Sequence, residues 1–279
     1  TINSYMFADA KAISKISYMN NDIENGEKYE MKANEIKNEI QRALWNEELN
    51  FFTVLPKNYG ETEKPLDVRE LIGFIPWYFN LPDDEPKYAA AWNKIMDTTG
   101  FYAPFGLTVT EQSDPYFKIS YEGHECQWNG PSWPFATTQT LKALANFLNN
   151  YSNNISINKN DYYHLLLQYS RQHKLENENG EIVNWIDENI NPFTGDWISR
   201  TRLKNWDGKG WSDDKGGVER GKDYNHSGFT DLILSDLIGI KPNLDNIIEI
   251  NPLVPDEWEW FAVDNLYYQG KKFSLIWDK

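Results

Sequence analysis

Two short segments of this 279-residue sequence hold residue types suited to chemistry on a polar, uncharged molecule. The first is Gln127-Trp128-Asn129-Gly130-Pro131-Ser132-Trp133-Pro134, which opens a stretch that reads as a helix. Its two Trp flank an amide and a Gly-Pro turn, setting flat apolar rings beside the unpaired backbone N–H groups of a helix start. A ring face suits the C–H face of a sugar, and nearby polar groups reach its hydroxyls. The plainer reading is a Trp-anchored helix cap. The second segment runs from Trp185 to Trp197 and holds the adjacent carboxylates Asp187 and Glu188. Asn191-Pro192 and Thr194-Gly195 punctuate it as turns. A carboxylate kept ionised by hydrogen bonds from amides and hydroxyls suits a general base. Here the plainer reading is a solvated turn, and Asp187 is the nearest rival to Glu188.

These segments fall in two long loops, residues 100–130 and 186–222, rich in Gly, Pro, Asp and aromatics. Long loops between packed elements commonly carry function. The two are expected to converge on one side of the helices in a concave site. Trp128, Trp133, Trp77, Trp197 and Tyr224 would line it, with Asn129, Arg69 and His226 supplying polar contacts. His226 reads equally well as a capping or core residue. No metal or cofactor is expected, since four His and the single Cys126 give no zinc spacing. Asp213-Asp214-Lys215-Gly216-Gly217 lacks the spaced ligands of a calcium loop and reads as a solvated turn. No Gly-rich stretch has the spacing of a phosphate loop.

Composition narrows the partners. Lys and Arg total 27 against 42 Asp and Glu, a formal charge of −15, which argues against nucleic-acid phosphates and anionic membrane surfaces. Hydrophobic residues at 40% and charged residues at 25% are globular values. Aromatic content is the unusual figure, with 12 Trp, 16 Tyr and 14 Phe. Many of these rings must simply fill a core; a carbohydrate ligand would use the remainder.

The elements that must position these residues are mostly helical. Residues 4–19 and 27–45 read as a helix pair joined by Asn20-Asn21-Asp22 and Gly26, the second with a stripe of Tyr29, Ala33, Ile36, Ile40 and Ala43. Phe51 to Val54 is a short extended run, and 66–80 an apolar segment broken at Pro76. Pro86 opens a helix carrying Tyr88, Ala91, Trp92 and Ile95. Pro131–Tyr151 is a helix with Phe135, Thr138, Leu141, Ala145 and Leu148 on one face. Asn158–Gln172 buries Tyr162, Leu165, Leu166 and Tyr169, and 223–238 is a helix ended by Gly239. From Asn246 alternation takes over, in Ile248, Ile250, Leu253, then Phe261, Val263, Leu266, then 272–277. Residues 1–245 therefore read as an all-α unit of helical hairpins and 246–279 as a β segment.

Taken together, the two motif segments resemble the six-hairpin glycosidases of glycoside hydrolase family 63. The likeness includes the mannosylglycerate hydrolase-like group and, more distantly, the family 37 trehalases. Gln127 to Trp133 matches the group's Q/Y-W-x-G-P-x-W motif; Glu188, Pro192, Thr194 and Gly195 match its E-x-x-x-P-x-T-G loop. Tyr224 to Thr230, Arg69 to Pro76, Phe105-Gly106-Leu107 and Asp114-Pro115 extend the likeness along nearly the whole chain. The resemblance implies an (α/α)6 toroid, here partial, and hydrolysis with inversion, in which one carboxylic acid protonates the leaving oxygen and a carboxylate opposite activates water. By position Glu188 matches the base. The acid is implied to lie upstream of Thr1, so that these residues carry the base half of the site and are inactive alone. An open toroid leaves apolar faces, such as that of the first helix, to be covered by the rest of the protein or by self-association. A non-catalytic carbohydrate-binding or scaffolding module using the same Trp cleft is the alternative. Other (α/α)6 catalysts, α-L-rhamnosidases or polysaccharide lyases, form a third possibility.

Overall fold

The computed structural model describes residues 1–56, 65–122, 126–153, 156–177, 179–199, 224–243 and 247–279. It is an arc of antiparallel helical hairpins with short two-stranded antiparallel pairs, the largest at the C-terminus. Helix α1 (Ile2–Met19) pairs with α2 (Ile23–Leu44). The Asp22 carboxylate caps α2 by accepting from Asn25 N. Gly26 lies inside the first turn of α2 instead of in the connection, because the helices meet closely there. A Cβ on Gly26 would stand 2.5 Å from the Tyr18 ring, and Ser14 Oγ donates to Gly26 O at 2.9 Å. Ala33 and Ile40 of the expected stripe are buried, with Tyr29 and Ile36 partly so. The outward face of α1 shows Ile2, Met6, Ile16 and Met19 to solvent.

Strands β1 (Trp45–Asn46) and β2 (Phe51–Phe52) form a hairpin at the end of α2. A 3-10 turn, Leu71–Phe74, leads into the short helix α3 (Ile75–Tyr78). Pro76 therefore starts a helical turn where a break was expected, since a first-turn residue has no intrahelical N–H bond to lose. Helix α4 (Pro86–Ala89) continues as a 3-10 turn, Ala90–Lys94. Around these elements sits an aromatic core. Phe74 stacks on Trp92 at 4.3 Å, Trp92 on Phe147 at 5.2 Å, and Trp77 meets Trp92 edge-on at 5.5 Å.

Strands β3 (Tyr102–Ala103) and β4 (Gly106–Leu107) make a hairpin pinned to helix α6 (Lys159–Gln172). Gln168 Nε2 donates to Ala103 O and Gln172 Nε2 to Phe105 O. Asn158 caps α6 with a reciprocal bond to Asp161, and Tyr162, Leu165, Leu166 and Tyr169 are buried as the pattern predicts. Helix α5 (Pro134–Asn150) is buried around most of its circumference. The single inward face expected for it is thus too narrow. Phe135, placed on that face by spacing, is exposed, because the first turn of α5 stands at the rim of a cavity.

Strands β5 (Lys174–Glu176) and β6 (Ile182–Asn184) lead into the Glu188 loop. Helix α7 (His226–Asp231) continues as a π-helical segment, Leu232–Leu237. Gly239 ends it at φ +78°, and a Cβ there would strike the Asn251 carbonyl. Pairing then begins earlier than residue 246: β7 (Ile240–Pro242) bonds to β8 (Ile248–Ile250). Strands β9 (Trp260–Tyr268) and β10 (Lys271–Asp278) form the terminal hairpin. Their register shifts between Phe273 and Leu275, and Asn265 sits at φ +61°. This bulge is why the inward residues step from Val263 to Leu266. Phe261 carries the hairpin into the main core, and Trp258 packs edge-on against Tyr163.

Candidate active site

The two motif segments are joined directly. Ser132 N donates to Ile190 O at 3.0 Å and Ile190 N returns a bond to Ser132 O at 2.9 Å, an isolated antiparallel bridge. Ser132 immediately precedes Trp133, the N-cap of α5, and Ile190 lies two residues beyond Glu188. Further contacts tie the described parts of the two long loops together. Phe105 N donates to Pro192 O, and Asn191 Nδ2 to the Tyr121 hydroxyl. The Gly195 turn, at φ +79°, sits so close to the Phe105 ring that a Cβ would lie 2.7 Å away.

Trp128 stacks on Trp133 with ring centroids 4.2 Å apart and planes 20° from parallel. Trp133 is buried, held by its indole N–H to Gln127 O at 2.8 Å, while Trp128 is 37% exposed and offers its ring to solvent. Tyr224 meets Trp133 edge-on at 6.5 Å. The backbone of Trp128 is fixed by Thr110 Oγ1, and Asn129 is fixed twice, through its carbonyl by Lys118 N and through its amide to Tyr116 O. The indole bond of Trp133 and the stacking of Trp128 upon it limit the rotamer freedom these rings would lose on binding a ligand.

Glu188 is 8% exposed and accepts a hydrogen bond from Ser199 Oγ at 3.1 Å. Asp187 is fully buried and accepts from the Glu188 backbone N–H at 2.7 Å. The two neighbours thus differ: Asp187 braces the loop from within, and Glu188 keeps an edge at the surface. Beneath them Trp185, Ile186, Ile190 and Trp197 form a separate small core. Ser199 has no motif signal, and its relation to Glu188 depends on the loop turning back through Ile198 N to Asn189 O.

Three residues expected at the cleft wall lie elsewhere. Trp77 is fully buried among Phe52, Phe74, Trp92 and Phe147, a core residue. Trp197 is fully buried under the Glu188 loop, its indole N–H spent on Lys174 O. Arg69 is a structural clamp: its guanidinium pairs with Glu111 at 2.7 Å and donates twice to Leu49 O. In each case the side chain satisfies a buried requirement of the scaffold, which sequence spacing does not disclose. The His226 side chain, His124 and the Asp213–Gly217 segment lie outside the described residues.

A cavity of about 570 Å³ lies beside this platform, walled by α1, α3, α5 and α7. Tyr5, Phe135, Thr138 and Asn225 line it near the first turns of their helices, with Tyr78, Gln139, Lys142, Asp231 and Asp236 in the remaining wall. Phe135 and Asn225 are sequence neighbours of Pro134 and Tyr224, so the cavity adjoins the Trp133–Tyr224 contact. Its lining comes from four separate helices, and no local motif announces it. Among the described residues no group of three or more His, Cys, Asp and Glu is placed to hold a metal, and no helix is long and apolar enough to cross a membrane.

Residues 1–227 match the mannosylglycerate hydrolase MGH1-like glycoside hydrolase domain. The chain belongs to this glycoside hydrolase family. Residues 242–279 match the C-terminal domain of glycosyl hydrolase family 65. A solved structure named Sialidase is similar over 100% of this chain, at 40% identity and a TM-score of 0.82. An uncharacterized conserved protein from Thermus thermophilus is similar over 70% of the chain at 16% identity, TM-score 0.51. A GH63 mannosylglycerate hydrolase from the same organism, in complex with glucose, is similar over 70% at 15% identity, TM-score 0.50. These last two bear on the fold alone, that of a helical-hairpin toroid. The chain spans 23% of the first structure's length and 41% and 39% of the other two.

Proposed function

We propose that this glycoside hydrolase chain supplies the general-base side of an inverting glycosidase site, with Glu188 as the base. The supporting observation is the Ser132–Ile190 bridge, which fastens the Glu188 loop to the start of α5, where Trp128 and Trp133 stack. In this reading a sugar ring lies on the exposed face of Trp128 while Asn129 and Tyr224 meet its hydroxyls. The Glu188 carboxylate takes a proton from a water as that water attacks the anomeric carbon. The Ser199 hydroxyl orients it. A second carboxylic acid must protonate the departing oxygen from the opposite side. The helical residues up to Gly239 form the catalytic part, and the β segment that starts with β7 packs on it.

A second reading, sugar binding without turnover, draws on the sheltered position of Glu188 at 8% exposure. Glu188→Gln separates the two. In the active enzyme this isosteric change is expected to lower turnover of an activated glycoside by about 10²–10⁴, the usual worth of a general base. Binding of the glycoside should survive. Near-normal turnover by the Gln variant removes Glu188 from the mechanism.

A further inference from the structure

A separate pocket of about 210 Å³ borders the Glu188 loop, and none of the residues assigned above to the sugar or to its hydrolysis lines it. Its wall joins the end of α6, strands β5 and β6, the tip of the β3–β4 hairpin and the Gly195 turn. The volume is below the roughly 300 Å³ at which sites for drug-sized ligands begin, so its occupant is a compact molecule. Gln172, in this wall, is 4% exposed. Its Nε2 donates to Phe105 O at 2.6 Å, which fixes the orientation of the amide. Its Oε1 is buried and has no hydrogen-bond partner among the described residues. A buried acceptor without a donor is costly, so this atom calls for an N–H or O–H from whatever fills the pocket.

The charged side chains of the same wall are also unanswered. Arg171 and Lys174 line the pocket, and neither side chain has an ion pair or hydrogen bond with a described residue. Asp196, in the wall as well, accepts from the Thr194 hydroxyl at 3.3 Å and meets no described cation. Elsewhere in this chain cations close on nearby carboxylates, as Lys11 does on Glu30, Lys37 on Asp83 and Lys94 on Asp97. Here two cations and a carboxylate share one small wall without pairing. A ligand of a single charge would answer only one side of that set, whereas a zwitterion answers both. The planar guanidinium of Arg171 suits a carboxylate, and Gln172 Oε1 with Asp196 offers acceptors to an ammonium. Phe105, 42% exposed, and Leu175 add apolar surface beside them.

We propose that this pocket binds a free α-amino acid with an apolar side chain, its carboxylate on Arg171 and Lys174, its ammonium on Gln172 Oε1 and Asp196, and its side chain against Phe105 and Leu175. The assignment depends neither on Glu188 nor on the Trp platform, and the hydrolase reading stands or falls separately on Glu188→Gln. The test is a titration of the 279-residue chain with L-leucine, followed by calorimetry or NMR chemical shifts. Two analogues run beside it: isocaproate, which is leucine without the ammonium, and isopentylamine, which is leucine without the carboxylate. Each is expected to bind about tenfold more weakly than leucine, or worse, since one charged group of the wall goes unanswered. Arg171→Gln and Asp196→Asn change exposed positions. Each should weaken leucine by about tenfold, the worth of a hydrogen bond to a charged group, with the thermal midpoint unchanged. No saturable binding of leucine by the unsubstituted chain overturns the proposal. So does binding of either analogue as tight as that of leucine, or an unaltered leucine affinity in both variants.

Discussion

Replacing Arg69 by Met discriminates between the two roles that sequence and structure give this residue. A sugar contact on the cleft surface would cost almost nothing in stability, within about 0.5 kcal/mol. The structure instead shows an ion pair with Glu111 whose side chains are 15% and 7% exposed, and two further donations to Leu49 O. Removing one member of a buried pair leaves an uncompensated charge and costs about 3–5 kcal/mol. Ser113 Oγ, 3.3 Å from Glu111 Oε2, remains as a weak partner and pulls the expectation toward about 3 kcal/mol. With a urea dependence of about 3 kcal/mol per molar, the unfolding midpoint should fall by roughly 1 M. Trp fluorescence reads this directly. The double variant Arg69→Met with Glu111→Gln should recover part of the loss, because the orphaned charge is gone; a coupling of at least about 1 kcal/mol is expected. A midpoint within about 0.3 M of the parent, with weakened sugar binding, would refute the clamp and return Arg69 to the cleft.

Three more outcomes follow from the geometry. Gly195→Ala puts a Cβ into the left-handed region and 2.7 Å from the Phe105 ring; strain of about 1–2 kcal/mol should lower the thermal midpoint by roughly 3–6 °C, and an unchanged midpoint contradicts the interlock. Hydrogen bonds from Ser152, then Asn153, hold the Asp84 carboxyl at about 2, below its ordinary 3.8. The folded chain therefore resists this proton more than the unfolded chain does, so the contribution is complete above about pH 4 and is lost as the pH falls towards about 2; unfolding midpoints across that window should decline more steeply for the parent than for Asp84→Asn. Phe261, buried and stacked on Trp277 at 5.3 Å, should cost about 3–5 kcal/mol as Ala, seen in the single unfolding transition of the whole chain. A transition confined to 246–279 would mean that the hairpin does not share the main core.

What the sequence determined by itself is local. The stripe on α2, the Asn158 cap of α6, the Gly239 stop and the alternation of β9 and β10 each follow from rules spanning a few residues. The two motif segments were legible for the same reason: a Trp pair at a helix start, and carboxylates among turns, are contiguous. Which of those rings and charges are buried and which reach the surface was decided only by tertiary packing. Trp77 and Trp128 are the same residue type in aromatic-rich stretches, yet one fills the space between α3 and α5 and the other lies on a surface. Arg69 meets Glu111 across 42 positions, and Glu188 meets Ser199 only because the loop folds back on itself. The cavity draws its lining from four helices that the chain visits far apart. Burial and pairing are properties of which elements come together, and a linear spacing carries that information only where the partners are neighbours in the chain.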